Sequence, residues 1–210
     1  RTDLAALCYM LTEPDFNPRG SMVHLGNPNM PINRFCALPF AAALMPDHPT
    51  SKAWLDLSAE SLRYKLAMNV APGGAWGELL TYFGASAPHV MQTATVLANS
   101  GRLDDKTTRL AALPATFTVN LLSPKDPRFG TRMLPNWGHE GYDLTSHWLV
   151  AAGLVRKSDP ELAKALVWSW DQLGRPMQSH HDAGFSERAV IHADLLSQLQ
   201  RPVGSENQPP

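Results

Sequence analysis

A chain of 210 residues with 44% apolar residues is long enough for one substantial core, which excludes a disordered segment. Its net charge is −1, with 18 Lys+Arg against 19 Asp+Glu and no basic stripe, so neither nucleic acid nor an anionic lipid surface is an expected partner. No apolar run approaches the roughly 18 residues that cross a bilayer, so no membrane partner is expected.

Thr2 to Glu13 reads as a helix, because Leu4, Leu7, Cys8 and Leu11 fall at i, i+3, i+4 and i+7, one apolar stripe. Pro14 ends it. Asp15 to Asn33 reads as a long irregular loop, a kind of segment that often carries function. Phe35 to Met45 is almost wholly apolar, as an inner helix buried on all sides would be. Thr50 or Ser51 can cap the next helix, Lys52 to Val70. That helix has Trp54, Leu55, Leu57, Leu62, Leu66 and Met68 as apolar positions, with Asp56, Glu60, Arg63 and Lys65 on other faces.

After Pro72-Gly-Gly, a second apolar helix runs from Trp76 to Ala98. Its amphipathic partner, Leu103 to Leu122, has Asp104 or Asp105 as cap. Pro39, Pro88 and Pro114 sit inside periodic segments and predict kinks or breaks. Ser123 to Tyr142 is a second long loop. Asp143 or Thr145 caps an apolar helix to Val155. Ser158-Asp159-Pro160-Glu161 starts another, which runs to Leu173 and stops at Gly174. A polar loop with His180, His181 and Asp182 leads to a last helix, Ser186 to Gln200. Residues 201–210 are a polar tail. Cys8 and Cys36 both lie in apolar helical patterns, so buried free thiols are expected, with a disulfide as the alternative.

The only hint of period-2 alternation is at Ala115 to Leu121. The expected fold class is therefore all-α, one domain over residues 1–200 built of helical hairpins with apolar inner and amphipathic outer helices. Such an order suggests an incomplete α/α toroid, with its loops gathered at one end; an irregular bundle is the alternative.

The segment Pro72-Gly-Gly-Ala-Trp76-Gly-Glu78-Leu-Leu-Thr-Tyr82 resembles a signature of the heparinase II/III-like and alginate-lyase-type polysaccharide lyases. Met133-Leu-Pro135-Asn-Trp137-Gly-His139 resembles a later turn of the same family, with His139 where the family has Asp. The resemblance implies an α/α toroid followed by a β-sandwich domain, so that this chain would be part of a longer, secreted or periplasmic protein acting on an acidic polysaccharide. It implies that Tyr82 is the catalytic acid or base. It also implies that an Asn or His loop holds the uronate carboxylate, here through Asn27, which Tyr82 follows by 55 residues, with His24 as a catalytic partner. Asn29 is the further ligand of that loop.

The chemistry asks for these residue types. β-Elimination removes the proton at C5 of a uronate and expels the sugar linked at O4. The carboxylate beside C5 must first be neutralised by hydrogen-bond donors, for which Asn, protonated His or Arg serve. Tyrosine can take or give a proton if its surroundings suit it. Each assignment has a plainer counterpart. Tyr82 could pack its ring in the core with its hydroxyl at the surface. Asn27 and Asn29 belong to a Gly-Asn-Pro-Asn run that any tight loop uses. Arg34 could pair with the substrate carboxylate or tie its own loop to an acidic residue. Trp76 and Trp137 could stack on sugar rings or fill the core. Glu78, four residues before Tyr82, would share its helix face and orient it.

His139, Glu140 and His147, and the group His180, His181, Asp182 and His192, contain metal-ligand types but no His-Glu-x-x-His spacing. No cofactor is expected, and a structural zinc or calcium is the alternative. Paired carboxylates, Glu78 with Glu140 or Asp143, would instead suit a glycoside hydrolase. A third reading is a non-catalytic, glycan-binding or scaffold subunit.

Overall fold

The structure, a computed structural model, describes residues 1–12, 29–78, 80–135 and 147–174; at 29–35, 80–81, 85, 88 and 147 it describes the backbone only. The described chain is all-α. Its helices are α1 (Thr2–Thr12), α2 (Asn29–Leu44), α3 (Ser51–Asn69), α4 (Leu80–Asn99), α5 (Asp105–Val119), α6 (His147–Val155) and α7 (Pro160–Gln172). Extended pairing among the described residues is limited to two isolated antiparallel bridges, Val70 with Trp76 and Asp126 with Thr131. The weak alternation at Ala115 to Leu121 belongs to the end of α5 and the turn after it.

The helices form two rows. Helices α2, α4 and α6 touch in succession, and α3, α5 and α7 touch in succession behind them. Composition explains the assignment. The mostly apolar α4 and α6 are buried on nearly every side, whereas α3, α5 and α7 each bury one face. One large core holds Leu62, Leu66, Phe83, Met91, Leu97, Trp148, Leu149, Leu166 and Trp170 between the rows. A smaller cluster, with Cys8, Leu38, Met45 and Trp54, joins α1 to α2 and α3. Tyr9 and His48 pack on Trp54, the His48 ring stacked at 4.8 Å.

Several sequence expectations need correction. Asn29 to Arg34 is not loop but the first turns of α2. Pro31 falls there, where a missing N–H is harmless. Met68 is 66% exposed and Lys65 only 4%, the reverse of the stripe expected for α3. Helices α2 and α5 run unbroken through Pro39 and Pro114, both buried, and α4 runs through Pro88. Burial of these helices in the core outweighs the roughly 3 kcal/mol that an interior proline costs. Helix α4 begins at Leu80, not at Trp76.

Capping follows the sequence more closely. Asp104 caps α5, its carboxylate accepting from Thr107 N at 2.6 Å. Asp159 caps α7, accepting from Leu162 N at 3.1 Å, with Pro160 in the first turn. Thr50 stands at the cap position of α3 but makes no capping bond. Its hydroxyl meets Tyr9 Oη at 2.9 Å and His48 Nδ1 at 3.0 Å instead. Both cysteines are free and buried, and burial pushes the Cys36 thiol up to about 12, so it is inert as a nucleophile at neutral pH.

Hairpin connectivity sorts the loops. The pairs α2–α3, α4–α5 and α6–α7 are joined by short turns at 45–50, 100–104 and 156–159, which makes each pair antiparallel. The inner helices therefore all start at the opposite end. The described part of the α3–α4 connection (70–78) and that of the α5–α6 connection (120–135) lie at that end.

Candidate functional site

The connection between α3 and α4 is a pinned structure. Ala71 N donates to Ala75 O at 2.9 Å, and Gly74 N donates to Ala71 O at 2.8 Å. Gly77 N donates to Asn69 O at 2.8 Å, so residues 76–78 run back along the last turn of α3. Gly74 has φ +87°, and a Cβ there would lie 2.5 Å from the carbonyl oxygen of Leu113 on α5. Only glycine meets both demands.

Beyond the turn, Trp76 is 8% exposed and its ring lies 5.9 Å from that of Phe83. Its indole donates to Glu78 Oε2 at 3.1 Å, and the Ser86 hydroxyl donates to the same oxygen at 3.3 Å. Lys65 faces this carboxylate. Burial pulls the Lys65 ammonium below its ordinary range, and the charge of Glu78 opposes that pull.

Tyr82 lies in the first turn of α4, half-buried. Side chains in a helix lean towards its N-terminus, here towards the end that holds the long connections. Glu78 precedes the helix, so it does not share a helix face with Tyr82 as expected. It acts instead on Trp76 and Ser86. Further along α4, His89 and Thr93 follow Tyr82 at i+7 and i+11, on the side that also carries Ser86. His89 is half-buried, and burial pulls its pKa below the usual 6.5, so it is neutral at pH 7. The i, i+7 relation of Tyr82 and His89 could have been found in the sequence, but the expectation of a break at Pro88 obscured it.

Of the other expected site residues, His24, Asn27, Trp137 and His139 lie outside the described residues, as do Glu140, Asp143, His180, His181 and His192. Asn29 and Arg34 are placed by backbone only, at the start of α2. The burial of Trp76 favours the core-packing alternative over stacking on a sugar. Among the described residues no group of three or more His, Cys, Asp or Glu is placed to hold a metal ion. A pocket of about 620 Å³ runs along the outer row, lined by Pro72, Lys106, Arg109, Leu110, Leu113 and Ser158. It holds none of the expected site residues.

The described part of the α5–α6 connection forms a second pinned structure. Ser123 N donates to Met133 O at 2.8 Å, and Met133 N to Ser123 Oγ at 2.9 Å. Asp126 N donates to Thr131 O at 2.9 Å, closing the tip. Arg132 N donates to Gln172 O at 3.1 Å, Arg132 Nη1 donates to Ser123 O at 3.0 Å, and its guanidinium lies 5.6 Å from the ring centre of Trp168. This anchors the ribbon on α7.

No family model, curated protein or solved structure matches the chain. No helix among the described residues is long and apolar enough to cross a membrane.

Proposed function

We propose that this chain is the helical part of a polysaccharide lyase that cleaves a uronate-containing glycan by β-elimination, on an α/α toroid of which the two helix rows would be an arc. The reading rests most on Tyr82. It is a half-buried phenol in the first turn of an inner helix, at the end where the connections are long, in a segment pinned by Gly74 and Glu78. The resemblance carried by Pro72 to Tyr82 points the same way.

In this reading Tyr82 takes the C5 proton as phenolate. The released electron pair forms the C4–C5 double bond, the C4–O4 bond breaks, and the leaving oxygen takes its proton from the Tyr82 hydroxyl so formed. Asn27, with His24 and Asn29, would neutralise the carboxylate, and Arg34 would add a cation. The acidic polysaccharide, the secreted or periplasmic setting and the β-sandwich domain of a longer chain belong to the same proposal. The alternative of a paired-carboxylate hydrolase is weaker, because Glu78 is occupied by Trp76 and Ser86.

The test is direct. Elimination makes an unsaturated uronate that absorbs in the ultraviolet, and hydrolysis does not. Alginate, hyaluronan and heparin are the substrates to try. Tyr82→Phe is expected to lower the rate about 100- to 10,000-fold, the usual contribution of a positioned proton-transfer group, with folding unchanged. Elimination by the parent protein at an undiminished rate in Tyr82→Phe would refute the role given to Tyr82. Cleavage of a neutral glucan without new absorbance would refute the lyase reading as a whole.

A further inference from the structure

The tip of the ribbon between α5 and α6 has an unusual surface. Phe129 is 63% exposed and Met133 42%. Phe129 sits on a turn held from several sides. Phe129 N and Gly130 N both donate to Asp126 O, at 3.3 and 2.8 Å, and Gly130 takes the positive φ of +69° that lets the chain reverse. Arg128 is locked beside it. Its backbone N and Nε donate to Asp126 Oδ1 at 2.8 and 3.0 Å, and its Nη2 to Oδ2 at 2.7 Å. Its guanidinium carbon is 5.3 Å from the centre of the Phe129 ring. The fork leaves Nη1 without a bond to Asp126.

An exposed aromatic ring that is packed in no core exposes apolar area to water. Here the backbone has spent a closed turn, a positive-φ glycine and an ion-paired arginine to hold it out. Local charge adds a second observation. Residues 123–135 carry Lys125, Arg128 and Arg132 against Asp126 alone, a net of +2 in a chain of net −1. A guanidinium over one face of an exposed ring whose other face is left for a ligand, in a positive setting, matches a pyranose with a carboxylate. The ring's apolar C–H face packs on the phenyl, and the carboxylate meets the free guanidinium edge and Lys125. The ribbon leaves α5 at the end of the rows where α4, and so Tyr82, begins.

We infer that Phe129 and Arg128 form a binding platform for a uronate residue of an acidic polysaccharide, with Lys125 supplying the long-range attraction. This deepens the lyase reading and rests on it for the class of glycan. It does not need Tyr82 chemistry to be tested.

The experiment measures binding of the full chain to alginate, hyaluronan and heparin, with dextran as neutral control, and follows unsaturated product separately. Phe129→Ala and Phe129→Leu are both expected to weaken binding about tenfold, the size of a central contact residue, while Phe129→Trp keeps it. Lys125→Gln is expected to flatten the salt dependence. Equal binding by Phe129→Ala, retention by Phe129→Leu, equal affinity for dextran, or no binding to any of the three polymers would each overturn the inference. A parent protein that self-associates through this tip, with Phe129→Ala monomeric, would overturn it too. Polymer bound through Phe129 without unsaturated product supports the platform and refutes the lyase. Undiminished binding in Phe129→Ala together with elimination refutes the platform and leaves the lyase standing.

Discussion

The two ends of the helix rows are built by different means. At the short-turn end the chain reverses within a few residues on local caps and turns, and pairs such as Arg102 with Asp56 at 2.9 Å and Tyr9 with Thr50 at 2.9 Å tie the turns to their neighbours. Asp104 caps the helix it precedes, and so does Asp159; Lys52 pairs with Asp56 one turn on, at 2.8 Å. At the other end the connections are held by distant groups. Gly74 rests on Leu113, Arg132 reaches Gln172 and Trp168, and Glu78 faces Lys65. Local contacts make a cheap, sturdy reversal. Long-range contacts hold irregular backbone in a fixed shape, which a binding or catalytic loop requires.

Glycine substitutions give the sharpest contrast. Gly74→Ala must adopt a positive φ and also push Leu113 away, so a loss of about 2–4 kcal/mol is expected. Gly101→Ala has φ +68° but open space around it, so only the backbone strain remains, about 1–2 kcal/mol. Urea denaturation compares the two; equal losses would mean that the turn near Leu113 relaxes freely.

Next in size is Glu78→Gln. The amide keeps acceptor capacity for Trp76 and Ser86 but removes the charge opposite buried Lys65. A loss of about 1–3 kcal/mol is expected. A further fall in the Lys65 pKa, read by NMR titration, would separate the lost counter-charge from general loosening. Asp159→Ala should cost about 1 kcal/mol as a cap, with little added by its partly exposed pair to Arg109.

Acid should produce the smallest effect, and chiefly at the turns. Hydrogen bonds from Lys52, Thr107 and Arg128 hold Asp56, Asp104 and Asp126 respectively below the usual carboxylate range. A carboxylate whose folded pKa is depressed adds stability above its ordinary value near 3.8, and that share disappears as pH falls through the lower folded value. Stability should therefore be flat from pH 7 to about pH 5 as far as these groups are concerned. It should then decline below pH 4, measured as thermal midpoint against pH. Lys65 works in the other direction. Its folded pKa is depressed, so its burial penalty is present in full at neutral pH and is relieved as pH rises towards 10.5. Lys65→Met should remove that rise in alkaline stability.

Most helices were legible in the residues. Periods of 3.6, wholly apolar inner segments and Asp caps foretold α1, α3, α5, α6 and α7 to within a few residues, and the inner–outer alternation with them. The site was legible only as residue types. Tyr82 could be singled out, but its relation to Glu78 could not, because the helix starts two residues after Glu78 rather than at Trp76. Lys65 looked solvated because its partner is 13 residues away and is brought near by the Val70–Trp76 bridge. Phe129 passed as one more loop residue, since exposure of an aromatic ring follows from where the ribbon docks.

Pattern and capping, then, are consequences of neighbours three or four residues apart, and the chain carries them wherever it goes. Which apolar helix lies between which others, which lysine is buried and which phenylalanine is held out in water depend on groups far apart in the chain. Those were decided by the packing of the two rows and by hydrogen bonds closing the long connections, because burial and long-range pairing exist only once the helices have assembled.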